Sequence, residues 1–202
     1  YSEFLMKKKD ENDSDYKAVK TIFESTIRAA EMTRQLLNIA RAGEHTARKI
    51  QPEAIVKNTL PLIKNIFDKS ISITTHIQKN IMPVIGDQGQ LEQCLLNLCI
   101  NARDAMPDGG ELIIEIENRH IEEDYARSHL EARTGEYVVL TVSDTGCGMT
   151  PEVKQRIFEP FFTTKGDQGG TGMGLATLYG IIKNHEGFIN VYSEEHVGTT
   201  FR

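Results

Sequence analysis

The chain has 202 residues, with 23 Lys+Arg against 29 Asp+Glu, a formal net charge of −6 and three cysteines. That length suits one or two domains of about 150 residues and buries enough surface to need no disulfide or metal staple. The dispersed basic residues argue against nucleic acid as the main partner. Cys94, Cys99 and Cys147 form no C-x-x-C pair, which disfavours a zinc site or secreted disulfide framework, and no apolar run reaches the roughly 20 residues of a membrane span.

In chain order, residues 1 to about 8 read as the last turns of a helix, with Lys7-Lys8-Lys9 where cations suit the helix dipole. Asp10 to Ser14 reads as a polar loop, with Ser14 or Asp15 as N-cap. A long helix is expected over roughly 16–45. Its seam of Val19, Phe23, Thr26, Ala30, Thr33, Leu37 and Ala40 is spaced 4-3-4-3-4-3, and Ile22, Ala29 and Leu36 widen it. Helix end, loop and long helix make an antiparallel hairpin whose apolar faces a dimeric four-helix bundle would bury. Both chain ends read as cuts within a larger protein: the opening helix lacks a cap, and Gly198 to Arg202 reads as a strand just begun.

His45 to Pro52 is polar and ends in Pro, which marks a domain boundary. Beyond it, Pro52–Phe67 is helical, with Ile55, Leu62, Ile63 and Ile66 on one side, and Ile71–Thr74 alternates as a strand. Asp87-Gln88-Gly89-Gln90 resembles a capping box for a helix to Met106. Pro107-Asp108-Gly109-Gly110 is a turn. Strands are expected over Leu112–Ile116, Tyr137–Val142, Phe188–Tyr192 and Thr199–Phe201, with a loop carrying a helical piece over 119–135 and a helix over 174–185. The fold class is α+β: a two-layer α/β sandwich over 48–202, with a mixed sheet and helices on one face, preceded by a helical hairpin over 1–47.

Two glycine clusters stand out. Asp144-Thr145-Gly146-Cys147-Gly148-Met149 follows a strand, and Gly169-Gly170-Thr171-Gly172-Met173-Gly174-Leu175 precedes a helix. Glycines at a helix start let backbone N–H groups approach phosphate oxygens. There is no G-x-x-x-x-G-K-[ST], and Thr177 stands where a Rossmann fingerprint needs its last Gly. Taken alone, either cluster also fits ordinary turns. A third element is Asn97 and Asn101, four apart on one helix face. Amide oxygens suit Mg²⁺, although such Asn also cap or pair within a domain.

Asn97-x-x-x-Asn101-Ala102, Asp144-x-Gly146-x-Gly148-Met149, Phe158-Glu159-Pro160-Phe161-Phe162-Thr163-Thr164-Lys165, Gly172-x-Gly174-Leu175 and Gly198-Thr199-Thr200-Phe201 occur in that order. They resemble the N, G1, F, G2 and G3 boxes of sensor histidine kinases, whose GHKL (Bergerat) ATP-binding fold is shared with gyrase, Hsp90 and MutL. The phrasing around Leu91–Leu98 and Phe158–Lys165 is most similar to the nitrogen-regulation and hybrid-kinase types. The resemblance implies that Asp144 accepts from the adenine amino group, with Gly146 and Gly148 in the turn beside the ring and Thr199 reaching the base through water. It implies Asn101 as Mg²⁺ ligand, Asn97 in the outer shell, Gly172, Gly174 and Leu175 at the phosphates, and residues 163–173 as an ATP lid. Lys165 is then a phosphate contact or a solvated lid lysine.

Two positions depart from the family pattern. Asp104 stands where many sensor kinases carry a basic residue. Asn97 stands where gyrase and its relatives place a Glu as general base, and an amide cannot take that proton. Glu31-Met32-Thr33-Arg34-Gln35-Leu36-Leu37 resembles the second helix of a dimerisation and histidine-phosphotransfer domain, with the phosphoacceptor His expected about a dozen residues upstream of Tyr1. His45, His76, His120, His129, His185 and His196 read as ordinary surface or packing residues.

The resemblance thus implies a cytoplasmic catalytic core, in a parent that is membrane-anchored or not, which binds ATP and Mg²⁺. It also implies a homodimer through the hairpin, a response-regulator receiver domain as partner, and neither nucleic acid nor membrane contact. An ATPase clamp and a non-catalytic nucleotide-binding scaffold are the alternatives.

Overall fold

The computed structural model describes Val19 and residues 47–128, 131–166 and 170–202. The hairpin expected over 1–47 lies outside the described residues, apart from Val19, which is helical, and Ala47. The chain divides into two compact units, one of residues 1–44 with 163–171 and one of 45–162 with 172–202. Within the first, Lys165 N–H donates to Thr163 Oγ1 at 3.0 Å and Gly170 N–H to Lys165 O at 3.1 Å.

The second unit opens with β1 (Arg48–Ile50) and α1 (Pro52–Ile66). Proline suits the first helical position because its missing N–H has no intrahelical partner there. A stripe of Ile55, Val56, Thr59 and Ile63 is buried, whereas Leu62 and Ile66 are exposed. The apolar side expected for this helix is therefore rotated toward Val56. At about 100° per residue, Leu62 falls on the margin of the stripe. β2 (Ile71–Ile77) and β3 (Val84–Gly86) follow, and β3 pairs antiparallel with β1. These two short strands lie in stretches too brief and mixed to show alternation.

Next comes α2 (Gln88–Ala105), capped as expected by Asp87, whose side chain accepts from Gln90 N–H at 3.1 Å. The capping box is only half made. Asp87 N–H instead donates to His185 Nε2 at 2.9 Å, and His185 Nδ1 lies 2.7 Å from Ile181 O. Donation from Nδ1 to that carbonyl leaves Nε2 as the acceptor, so both bonds require the neutral ring. Asp87→Ala is expected to cost about 1 kcal/mol by removing the N-cap acceptor. A urea unfolding midpoint lowered at unchanged slope checks this.

The remaining elements are β4 (Gly110–Ile121), α3 (Glu123–Ser128), β5 (Gly135–Asp144), α4 (Pro151–Arg156), α5 (Gly174–Asn184), β6 (Val191–Glu194) and β7 (Gly198–Phe201). β4 continues through 119–121, which reads as loop in the sequence, because His120 and Ile121 pair with Glu136 and Gly135. The strand expected from Phe188 starts only at Val191.

Five strands form one mixed sheet in the order β2-β4-β5-β7-β6, parallel between β2 and β4 and antiparallel elsewhere. Leu112, Ile114, Ile116, Val142 and Phe201 project from one face into a core completed by Ile63, Leu95, Cys99, Leu178 and Ile181 of the helices. The opposite face carries Glu115, Thr141, Ser143 and Thr200, consistent with helices on a single face. Burial pushes the thiols of Cys94 and Cys99 up to about 12, so both stay protonated and unreactive. No helix among the described residues is long and apolar enough to cross a membrane.

Candidate functional site

The register places Asp144, the last residue of β5, opposite Leu112 of β4 and Thr199 of β7, and Thr199 opposite Ser193 of β6. Because Leu112 is a core residue and side chains alternate along a strand, Asp144 and Thr199 stand on the helix-covered face. Asp144 Oδ1 accepts from Gly146 N–H at 2.9 Å, and the carboxyl also accepts from the Thr199 backbone. Burial raises its pKa above the ordinary 3.8, and these two N–H donors oppose that rise. Thr199 Oγ1 meets Ser193 Oγ at 2.9 Å. The result is a half-buried carboxyl with its near side satisfied by backbone donors.

The turn after Asp144 is held from two sides. Cys147 N–H donates to Ala105 O, the end of α2, at 2.9 Å, and His196 N–H donates to Cys147 O at 2.7 Å. Gly146 is buried, and a Cβ there would meet Ala105 O at 2.6 Å and Asp144 Oδ1 at 2.8 Å. Gly148 has φ +64°, and a Cβ there would run into the backbone carbonyl of Glu194. Asp144, Gly146, Gly148 and Thr199 are therefore brought together in one constellation.

A second constellation joins α2 to the start of α5. Asn97 Nδ2 donates to Gly174 O at 3.3 Å. This leaves the amide oxygen of Asn97 for other work, and Asn101 lies one turn on, partly exposed. Gly174 is the first residue of α5, and Leu175 packs against the core. The opening N–H groups of a helix have no intrahelical partner and favour anions. Just before them, Gly172 (φ +64°) and Phe161 (φ +67°) face each other, with Phe161 N–H donating to Gly172 O at 3.0 Å. A Cβ on Gly172 would stand 2.6 Å from Phe161 O.

Lys165 belongs to the other compact unit. Asp104 pairs with its neighbour Arg103 at 2.7 Å. Among the described residues no group of three or more His, Cys, Asp and Glu could hold a metal. The donor set near Gly174 is instead amide oxygen on one helix face. That fits a hard cation held by one or two side chains and by the oxygens of a bound phosphate chain. His185, which locks the N-terminus of α2, is not marked out by the sequence. It lies 98 residues from Asp87 and carries no motif of its own.

Residues 86–202 match the family described as histidine kinase-, DNA gyrase B-, and HSP90-like ATPase, and the chain belongs to that family. It is 35% identical over 201 residues to the sensor kinase CckA of Brucella abortus, an alignment covering 100% of this chain and 21% of that protein. Among solved structures, that of full-length ShkA in complex with AMPPNP superposes with a TM-score of 0.71 at 23% identity, over 98% of this chain and 40% of that one. The histidine kinase ThkA in complex with the response regulator protein TrrA gives 0.66 at 20% identity, over 98% of this chain and 54% of that one. The chain spans about a fifth to two fifths of the length of the curated relatives it matches.

Proposed function

We propose that this chain is the ATP-binding catalytic core of a two-component sensor histidine kinase. Residues 48–202 form the nucleotide domain, and residues 1–47 contribute to a dimerisation hairpin that makes the parent a homodimer. The parent works on the cytoplasmic side, transferring the γ-phosphoryl of ATP to a histidine upstream of Tyr1 and then to an aspartate of a response-regulator receiver domain. The partners of the two superposed kinases, AMPPNP and a response regulator, support the nucleotide and the receiver.

The observation that carries the reading is Asp144. Its carboxyl is half-buried, anchored by Gly146 and Thr199, and set beside a turn stripped of side chains at Gly146 and Gly148. A flat ring fits against such a backbone wall, and a fixed carboxylate selects an amino donor on it. At the other end, Gly172, Gly174 and Leu175 present the α5 N-terminus to phosphates. Asn101 would supply an amide oxygen to Mg²⁺, with Asn97 in the outer shell. Bound Mg²⁺ neutralises charge on the phosphates. The chain's own part is to hold the triphosphate in line and keep the base in place. The amide of Asn97 cannot accept a proton from water, which favours transfer to a protein acceptor over hydrolysis.

Calorimetric titration with ATP, with and without Mg²⁺, tests the reading. Saturable binding strengthened by Mg²⁺ is the expected result, and a folded chain that ignores ATP refutes it. Asn101→Ala is expected to lose about tenfold in Mg·ATP affinity, on the scale of one charge-assisted contact, while binding measured in EDTA is unchanged.

A further inference from the structure

The start of α2 is completed by a residue of α5. In a capping box the N-cap N–H is taken by the side chain three residues on, which would be Gln90. Here Asp87 N–H donates instead to His185 Nε2 at 2.9 Å, and His185 Nδ1 lies 2.7 Å from Ile181 O. The ring therefore bridges the last turn of α5 to the N-cap of α2 with both of its nitrogens. The chain clears a place for it. A Cβ on Gly86 would stand 2.5 Å from His185 Cδ2 and 2.9 Å from Nε2, and Gly86 does not have a left-handed φ. It is the ring, and not the backbone angle, that excludes a side chain there.

A second bridge joins the same two helices, from Asn97 Nδ2 to Gly174 O at 3.3 Å. The C-terminal end of α5 thus meets the N-terminal end of α2, and the first residue of α5 meets the middle of α2, so the two run antiparallel. The spans match. Gly174 to His185 is about 16.5 Å along α5, and Asp87 to Asn97 about 15 Å along α2, at 1.5 Å per residue. Leu178 and Ile181 hold α5 in the core, but apolar burial is non-directional. Hydrogen bonds at two matched points fix how far α5 slides and how it swivels on α2, whereas one bond leaves a pivot. What they set is the place of the α5 start relative to Asn97 and Asn101. The Asp144 turn is held by other bonds, from Cys147 N–H to Ala105 O and from Gly146 N–H to Asp144.

We propose that His185 is a positioning residue of the nucleotide site, setting the start of α5 against the asparagine face of α2 so that both grip one phosphate chain. From the far end of α5 it acts through Gly174 and touches no ligand. This rests on the ATP-binding reading. It places the effect at the phosphate end, so triphosphate affinity depends on the ring and adenosine affinity does not.

The test sets His185→Asn, His185→Gln and Gly86→Ala beside wild type, titrating each with Mg·ATP and with adenosine well below its melting temperature. Asparagine keeps a donor for Ile181 O but is too short to reach Asp87 N–H, whereas glutamine carries an acceptor oxygen out to where Nε2 stands. Gly86→Ala leaves the histidine in the chain and pushes its ring aside. His185→Asn and Gly86→Ala are expected to weaken Mg·ATP by about three- to tenfold, the range of one neutral hydrogen bond, and to leave adenosine unchanged. His185→Gln should bind Mg·ATP like wild type. Should His185→Asn fail to fold, Gly86→Ala decides alone. Folded variants that melt lower but keep wild-type Mg·ATP affinity overturn the proposal, because the bridge is then purely structural, and leave the ATP reading intact. An equal loss for adenosine, or a glutamine variant as weak as the asparagine one, overturns it as well. A folded wild-type chain that does not bind Mg·ATP overturns the ATP reading and this assignment with it.

Discussion

Gly148→Ala is expected to abolish measurable nucleotide binding, by about 100-fold or more, and to destabilise the fold by about 3 kcal/mol. Two costs add. A φ of +64° is open to glycine but costs an alanine about 1–2 kcal/mol. The added methyl also meets the backbone of Glu194 and comes within 3.1 Å of Glu195 Cα, and crowding a packed site costs about 1–3 kcal/mol more. Backbone cannot swing aside as a long side chain would, so the 145–148 turn must move. That turn carries Cys147, whose amide and carbonyl tie α2 to the stretch after β6. Thermal melts should show a fall of about 6–12 °C for a chain of this length. Gly135→Ala is a useful control. Nothing lies within 4 Å of a Cβ there, so its cost is conformational alone (φ +146°) and far from Asp144 in the chain.

Asp144→Asn should separate binding from stability. The substitution keeps volume and one acceptor oxygen for Gly146 or Thr199, so the chain should fold. The amide nitrogen would face the adenine amino group donor to donor, and a site built around a hydrogen bond rejects such a mismatch strongly. A loss of about 100-fold or more in ATP affinity is expected by calorimetry. The pH dependence has a definite sign. Burial raises the native pKa of Asp144 above 3.8, so between that value and the higher native one the folded chain holds more protons than the unfolded chain. Asp144 therefore contributes a fall in stability as pH rises through that window, and Asp144→Asn removes this contribution. Wild-type ATP affinity should drop as pH falls through the raised pKa, where the carboxylate becomes a neutral acid. A mutant that binds ATP like wild type would take the adenine role away from Asp144.

The sequence made most of this architecture legible because its strongest signals are local. Short apolar, β-branched runs at Leu112–Ile116 and Tyr137–Val142 mark two strands of the sheet, and Asp87 with Gln90 marks the start of α2. The glycines at 146, 148, 172 and 174 and the asparagines at 97 and 101 stand out in the sequence, and the fold gathers them into two constellations. What escaped depends on pairing between distant segments. β4 runs on through Arg119, His120 and Ile121 because β5 offers it partners, although Arg119 and His120 are polar enough to read as loop. β1 and β3 are three residues each and exist only through one another. His185 carries no motif that sets it apart from an ordinary packing histidine, and only the folded chain brings its ring to Asp87 N–H. The direction of the apolar stripe on α1 is not legible in the sequence, because Leu62 and Ile66 are as apolar as the residues that the core accepts.

One consequence concerns length. Asn97, midway along α2, is fastened to Gly174, and Ala105 O fastens the C-terminal end of the helix to the turn that carries Gly146 and Gly148. Eight residues of helix separate these fixings, about 12 Å at 1.5 Å per residue. The helix is thus a gauge block between two jaws, and its residue count sets both their spacing and their relative rotation. A single residue inserted between Leu98 and Asp104 would add only about 1.5 Å, but it would turn one jaw by about 100° relative to the other. Substitutions that respect the buried stripe of Cys94, Leu95, Leu98, Cys99 and Ala102 leave the gauge intact, whereas insertions and deletions do not. Changes of length belong in the surface connections between elements, outside both this helix and the paired strands.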